Sequence, residues 1–261
     1  MNYENLEFRR SEHIAWITLA RPKALNTLSV RLLEELATIL EDIKTDGETR
    51  VVVITGKGRA FCAGADLKDV RQQDSAANPT AFLEQVQRTL AGIRALPMPV
   101  IAALNGATMG GGLELAMHCD IVVAIETARI ADAHANVGVI PGAGGCALLP
   151  RLIGPQLAKY MLFTGGSLSA AQLHRAGLIS QIFAPDEFMT GVESLAKQIA
   201  NRSPLGLQWM KRLVHECLKK PHVEDALWLE IMANREYSQS HDMQEGVAAF
   251  VARRPAKFLG R

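Results

Sequence analysis

Three consecutive glycines, Gly110-Gly111-Gly112, run straight into Leu113-Glu114-Leu115-Ala116, and this stretch constrains the fold more than any other. Without Cβ atoms, adjacent glycines let other backbone or a ligand come close, and their N–H groups stay uncovered. The residues that follow read as a helix start, where the first N–H groups lack intrahelical acceptors and carry partial positive charge. Glu114 follows within one turn. Such a corner can hold a developing oxyanion with an acid/base group beside it. The plainer reading is a packing turn in which Glu114 merely suits the helix dipole.

Short apolar runs surround this corner. Residues 50–56, 99–106 and 121–124 read as buried strands, each ending near a turn. Residues 6–10 and 13–19 read as a hairpin around Ser11-Glu12, broken by Arg21-Pro22. Ser29 caps a helix with Leu32, Leu33, Leu36, Ile39, Leu40 and Ile43 on one face. Asn78-Pro79 opens another, with Leu83, Val86, Leu90 and Ile93 on one face. Strand–turn–helix units of this kind predict an α/β core with sites at strand ends. The strands hint at a repeating unit, although their spacing is too uneven for a sequence repeat. From about residue 186 the pattern is helical, with starts at Ser203-Pro204, at 223 and at 242. A tail of amphipathic helices packs on the core or on a partner.

Composition excludes several classes. Hydrophobic residues make up 48% of the 261 and charged residues 21%, as in a globular protein with a substantial core. The 28 Lys and Arg balance the 27 Asp and Glu, so nothing points to nucleic acid or a membrane surface. An anionic ligand would be held by a few local basic residues. Cys62, Cys119, Cys146 and Cys217 form no Cys-x-x-Cys pair and no Cys/His cluster, which predicts a reducing compartment and no structural metal. The polar N-terminus shows no signal peptide and no apolar run reaches spanning length, so the expected location is cytoplasmic.

Two more segments carry chemistry-bearing residues. In Ala60-Phe61-Cys62-Ala63-Gly64-Ala65-Asp66-Leu67, small residues crowd a turn between a strand and a helix. Asp66 suits a helix N-cap, and the exposed N–H of Ala65 could form half of an oxyanion hole. The other is Ala131-Asp132-Ala133-His134-Ala135-Asn136-Val137-Gly138, with the glycine turn at 142–145 after it. His134 is either a satisfied buried histidine or an acid/base group. Residues 142–147 match Gly-x-Gly-x-x-Gly/Ala, but Pro141 interrupts the supposed strand and no acidic residue lies between Gly142 and Asp186, so a dinucleotide site is rejected.

Together these segments resemble the enoyl-CoA hydratase/isomerase (crotonase) family. The resemblance rests on Arg21-Pro22-Lys23-Ala24-Leu25-Asn26, residues 60–67, residues 99–106, and Gly110 through Ala116 continuing to His118-Cys119-Asp120. The glycine turn at 140–145 and the ending from Glu245-Gly246 to Phe258 complete it, in order along nearly the whole chain. The resemblance implies an α/β spiral of ββα units over residues 1–195 and a C-terminal helical trimerisation region over 196–261. It implies an acyl-CoA substrate, no separate cofactor or metal, a homotrimer or dimer of trimers, and a place in fatty-acid metabolism. The thioester oxygen would sit between the N–H groups of Ala65 and Gly111, with Gly142 helping to position the substrate. CoA would run past Ala24, Leu25, Ala63, Asp66 and Leu67. Lys257 would contact a phosphate, on a neighbouring subunit, or be a solvated surface lysine. The acyl end would border residues 68–95, where Val70, Phe82 and Val86 mix with Arg71, Gln72, Gln73 and Asp74.

The chain departs from the family pattern at one position. A hydratase of the family carries two glutamates; one falls on Glu114 and the other on His134. Imidazole can act as acid or base near neutral pH, so hydration of a 2-enoyl-CoA, with Glu114 as main acid/base group and His134 assisting, is the expected reaction. Halide displacement would need an aspartate where Gly142 stands, and double-bond isomerisation often uses the glutamate that His134 replaces. Hydrolases of β-dicarbonyl compounds in the family use histidines. Carbon–carbon or thioester hydrolysis therefore stays open, as does an acyl-CoA-binding protein without catalysis.

Overall fold

The apolar runs become the central strands of a six-stranded sheet. The computed structural model describes residues 3–73, 78 and 80–261, without the side chain of Gln73; Asp74 and Pro79 lie outside the described residues. The chain opens with the hairpin β1 (Leu6–Ser11) and β2 (Ile14–Leu19) and crosses through α1 (Val30–Thr45). Next come β3 (Val51–Gly56), β4 (Ala60–Cys62), α2 (Leu67–Gln73) and α3 (Ala81–Ala95). The plan repeats as β5 (Val100–Leu104), β6 (Ala107–Met109) and α4 (Gly111–Met117). It repeats again as β7 (Ile121–Ile125), β8 (Arg129–Ala131), a 3-10 turn (His134–Val137), α5 (Leu149–Ile153) and α6 (Pro155–Thr164). β9 (Leu168–Ser169), α7 (Ala170–Arg175) and β10 (Gln181–Phe183) lead to α8 (Phe188–Ala200), α9 (Pro204–Cys217), α10 (Val223–Tyr237) and α11 (His241–Val251).

Each unit sends its long strand to one sheet, ordered β1-β2-β3-β5-β7-β10, and its short strand to another, ordered β4-β6-β8-β9. That is a spiral of ββα units. The long strands from β2 to β10 pair in parallel, and parallel sheets are covered on both faces. Val52 and Ile54 of β3 face a core shared with Leu32, Leu36 and Ile39 of α1 and Leu90 of α3. Val51 and Val53, on the other face, meet Phe188, Val192 and Ala196 of α8. α8 therefore belongs to the sheet along its whole length and runs through the expected boundary at 195/196; the helices that leave the sheet begin at α9.

Two local expectations shift. The β1–β2 turn sits one residue later than the Ser11-Glu12 turn read from the sequence, at Glu12-His13, with φ of 51° and 64°. A two-residue turn with both φ positive matches strand twist, which outweighs the poor fit of these residues to that geometry. The helix placed at Asn78-Pro79 starts at Ala81, with Asn78 Oδ1 accepting from the Thr80 N–H. The caps at Ser29, whose side chain accepts from Leu32 N, and at Ser203, which accepts from Gly206 N, stand where the sequence puts them. No helix among the described residues is long and apolar enough to cross a membrane.

Candidate active site

The site forms where β4 and β6 deliver their helices side by side. Leu28 bridges in parallel to the 60–67 segment: its N–H donates to Gly64 O at 2.8 Å, and Asp66 N–H donates to Leu28 O at 2.8 Å. Residues 64 and 66 thus take up the pairing, and the N–H of Ala65 between them points the other way. Gly111 is the first residue of α4, so its N–H is one of the helix's orphan donors. Neither N–H has an acceptor among the described residues. The two are close, since a Cβ built on Gly111 would lie 3.6 Å from Ala65 N. What holds them there is Gly112: a Cβ on it would sit 2.1 Å from Cys62 O, so only glycine lets α4 press against β4.

Glu114 lies one turn into α4 and is 3% exposed. Its Oε1 accepts from the N–H groups of Ala143 at 2.7 Å and Gly145 at 3.0 Å. The glycine turn is therefore a cradle for this carboxylate. Its Oε2 lies 3.8 Å from His134 Nε2. The imidazole packs over Gly110 and donates from Nδ1 to Asp132 Oδ1 at 2.8 Å. Asp132 is fully buried, and its Oδ2 has no partner among the described residues. The line Asp132–His134–Glu114 leaves His134 Nε2 and Glu114 Oε2 facing each other.

Burial disfavours charge on His134, but the hydrogen bond and charge of Asp132, helped by Glu114, outweigh it and raise the imidazole pKa above its ordinary value. A protonated His134 thus stabilises the folded chain below about pH 6.5, and that contribution is lost as pH rises through the raised pKa. His118 behaves oppositely. Burial holds its pKa down, and its Nε2 donates to Ala143 O at 2.9 Å.

The other expected contacts divide. Leu25 O accepts from Ala63 N–H at 3.0 Å, which brings residues 24–25 against the 60–67 segment, and Leu67 is 54% exposed beside them. Asp66 Oδ1 accepts from Lys68 N–H at the start of α2, and its Oδ2 pairs with Arg21 at 3.0 Å. Burial works against its charge, but Arg21 together with the N–H and charge of Lys68 outweighs it and leaves its pKa lowered. Gly142 sits beneath α3, against Leu83, with Gln87 donating to its carbonyl. Leu83 and Gln87 are thus the α3 residues that reach the glycine turn, while Phe82 and Val86, expected at the acyl end, point into the core. Lys257 stands apart. Its neighbour Phe258 accepts at its carbonyl from Arg50, at the start of β3, whereas the site lies beyond the end of that strand. Asp242, which accepts from Ser203 and from the N–H groups of Leu259 and Gly260, ties the tail down there.

The sequence profile of the enoyl-CoA hydratase/isomerase family matches residues 9–261. The chain belongs to this family. As a family member it is an enzyme of the enoyl-CoA hydratase/isomerase type. The 2,3-dehydroadipyl-CoA hydratase of Escherichia coli is 37% identical over 252 residues, covering 97% of both chains. The crotonyl-CoA hydratase of Syntrophomonas wolfei is 33% identical over 262 residues, covering both chains fully. The crystal structure of an enoyl-CoA hydratase from Bacillus anthracis superimposes with a TM-score of 0.94 at 34% identity, covering 99% of this chain and all of the other. Two polar residues around this enoyl-CoA hydratase/isomerase site lie in the named segments without a chemical role assigned to them from sequence. Asp132 is two residues from His134, and His118 is one turn beyond Glu114; both spacings are visible, but the partners they select are set by the fold.

Proposed function

We propose that this enzyme adds water reversibly to a 2-enoyl-CoA. The observation that carries the reading is the opposition of Glu114 Oε2 and His134 Nε2 at 3.8 Å, each held from behind, next to paired backbone N–H donors. That separation is too long for a direct hydrogen bond and short enough for one water to contact both. The thioester oxygen accepts from Ala65 and Gly111 N–H. Ionised Glu114 takes a proton from water as its oxygen bonds to the β-carbon, and the π electrons move to the thioester oxygen. Protonated His134 then delivers a proton to the α-carbon as the enolate collapses. Transfer of the proton from Glu114 to His134 closes the cycle, for a net gain of one water. The hole is worth about 3–4 kcal/mol per donor in the transition state.

The test is the absorbance of the conjugated thioester with short- and medium-chain substrates. Loss of absorbance without release of free thiol is expected; no loss at any chain length would sink the reading. The Asp132–His134 pair supports a second reading, since a neutral imidazole oriented by a carboxylate can activate water towards a carbonyl carbon. Free CoA or a cleaved acid among the products would favour that hydrolase. Tight acyl-CoA binding without turnover, unchanged by Glu114→Gln, would mark a binding protein instead.

Replacing Asp132 checks the acid role of His134. Asp132→Asn keeps an acceptor for Nδ1–H but removes the charge, so the His134 pKa falls. A proton donor is lost as pH rises through its pKa. The alkaline limb of the kcat profile should therefore move to lower pH, which rate measurements across pH would show.

The reading includes self-association through the C-terminal helices. Met210, Val214 and Leu218 of the α9 region and Leu227, Trp228 and Ile231 of α10 are exposed, Leu218 by 79%. Apolar exposure on this scale supports an interface between copies, as a trimer or dimer of trimers. Lys257 would then reach a CoA phosphate only across that interface.

A further inference from the structure

We propose that His118 is a positioning residue that clamps the glycine turn and thereby aims Glu114; this rests on the catalytic role given to Glu114 above. Gly111, Glu114 and His118 are spaced three and four residues apart, so they share one face of α4 and its C-terminal end. From that face the Glu114 and His118 side chains meet residues 143–145. Glu114 Oε1 accepts the Ala143 N–H at 2.7 Å, and His118 Nε2 donates to the Ala143 carbonyl at 2.9 Å. One residue of the turn is therefore gripped from both ends by two side chains a helical turn apart. The second N–H on Glu114 comes from Gly145, two residues further on, so its position depends on the same grip.

The grip decides which carboxylate oxygen works. With Oε1 held by two N–H groups, Oε2 is left free at 3.8 Å from His134 Nε2. If the turn relaxes, the carboxylate is free to rotate and either oxygen can face the site. The tautomer is fixed as well: Nε2 must carry the proton, because a carbonyl can only accept. His118 Nδ1 is buried without a partner among the described residues, so this side chain has a single hydrogen bond through which to act. Burial lowers its pKa and so favours the neutral form, in which Nε2–H is the donor to Ala143. It touches no reacting atom; its effect passes through Ala143 to Glu114.

The experiment compares His118→Met, which fills the space without a donor, with His118→Gln, whose amide N–H can reach a carbonyl. His118→Met should lower kcat by roughly tenfold to a hundredfold, as misplacement of a catalytic group does, while KM stays within about twofold. His118→Gln should recover most of the loss. Hydrogen–deuterium exchange supplies a readout free of turnover. Amides of the segment around 143–145 should exchange roughly tenfold faster or more in His118→Met, and slow again in His118→Gln, with the Leu28–Asp66 region unchanged. Equal activity and equal exchange in the two variants would overturn the clamp, whether both match the parent or both are impaired. If the parent shows no turnover of enoyl-CoA, the hydratase reading falls while the exchange comparison still decides the clamp.

Discussion

Glu114→Gln should lower kcat by roughly 10²–10⁴-fold, the range that one positioned acid/base group supplies. The substitution is nearly isosteric, and a Gln Oε1 can still accept from Ala143 and Gly145 N–H, so the glycine turn keeps its anchor. What is lost is the basic oxygen facing His134, replaced by an amide N–H₂ that cannot take a proton from water. KM should change by no more than a few fold, because the thioester oxygen is held by backbone donors. The unfolding midpoint should stay close to that of the parent. Steady-state kinetics with an enoyl thioester, alongside a denaturant titration, checks both halves. A large fall in stability would mean that the carboxylate is chiefly a structural anchor for the turn. An unchanged rate would remove Glu114 from the chemistry.

Gly112→Ala is expected to damage folding and chemistry together. The added methyl would lie 2.1 Å from Cys62 O and 2.8 Å from Cys62 Cβ, and the nearest obstacle is backbone, not a flexible side-chain end. Forcing a group into such a contact costs about 3 kcal/mol, the upper part of the usual overpacking range. The strain falls between β4, which leads into the Ala65 turn, and α4, which starts at Gly111, the two proposed donors of the oxyanion hole. Moving either donor off line removes up to roughly 10²–10³-fold in kcat. Denaturant unfolding and kcat measured on the folded fraction separate the two effects. A variant with parental stability and rate would show that α4 and β4 can separate without consequence, contrary to the role given to this contact.

The contrast between these substitutions follows what the sequence discloses. Runs such as Val51-Val52-Val53-Ile54 announce strands because both sheet faces are covered, and α1 announces itself through leucines and isoleucines on one face. The second sheet leaves little trace. β4, β6 and β8 are three residues long and pair with strands from other units, so no local period marks them. The proposed oxyanion donors are backbone N–H groups, which any residue type could supply; the crowded small residues point to Ala65 and the glycine run to a helix start, while the pairing of Ala65 with Gly111 comes from the family resemblance. Glu114 and His134 are chemically visible, whereas their relation depends on the fold. The roles of Asp132 and His118 are not legible, because a hydrogen bond to a carbonyl 25 residues away, or a buried carboxylate behind an imidazole, has no signature in spacing.

The seven residues of α4 set a bound on how this enzyme can change. On the proposed reading, an oxyanion donor, a base and, just past its end, a clamp lie on one stripe of this helix. Adding or deleting a single residue would turn everything beyond that point by about 100°, swinging the base away from the substrate and the clamp off its carbonyl. Length is thus frozen in α4, while the opposing wall at 132–134 is a loop and a 3-10 turn that can trade one acid/base side chain for another. A lineage built this way would explore new reactions by exchanging residues on that wall, with the α4 stripe as its fixed reference.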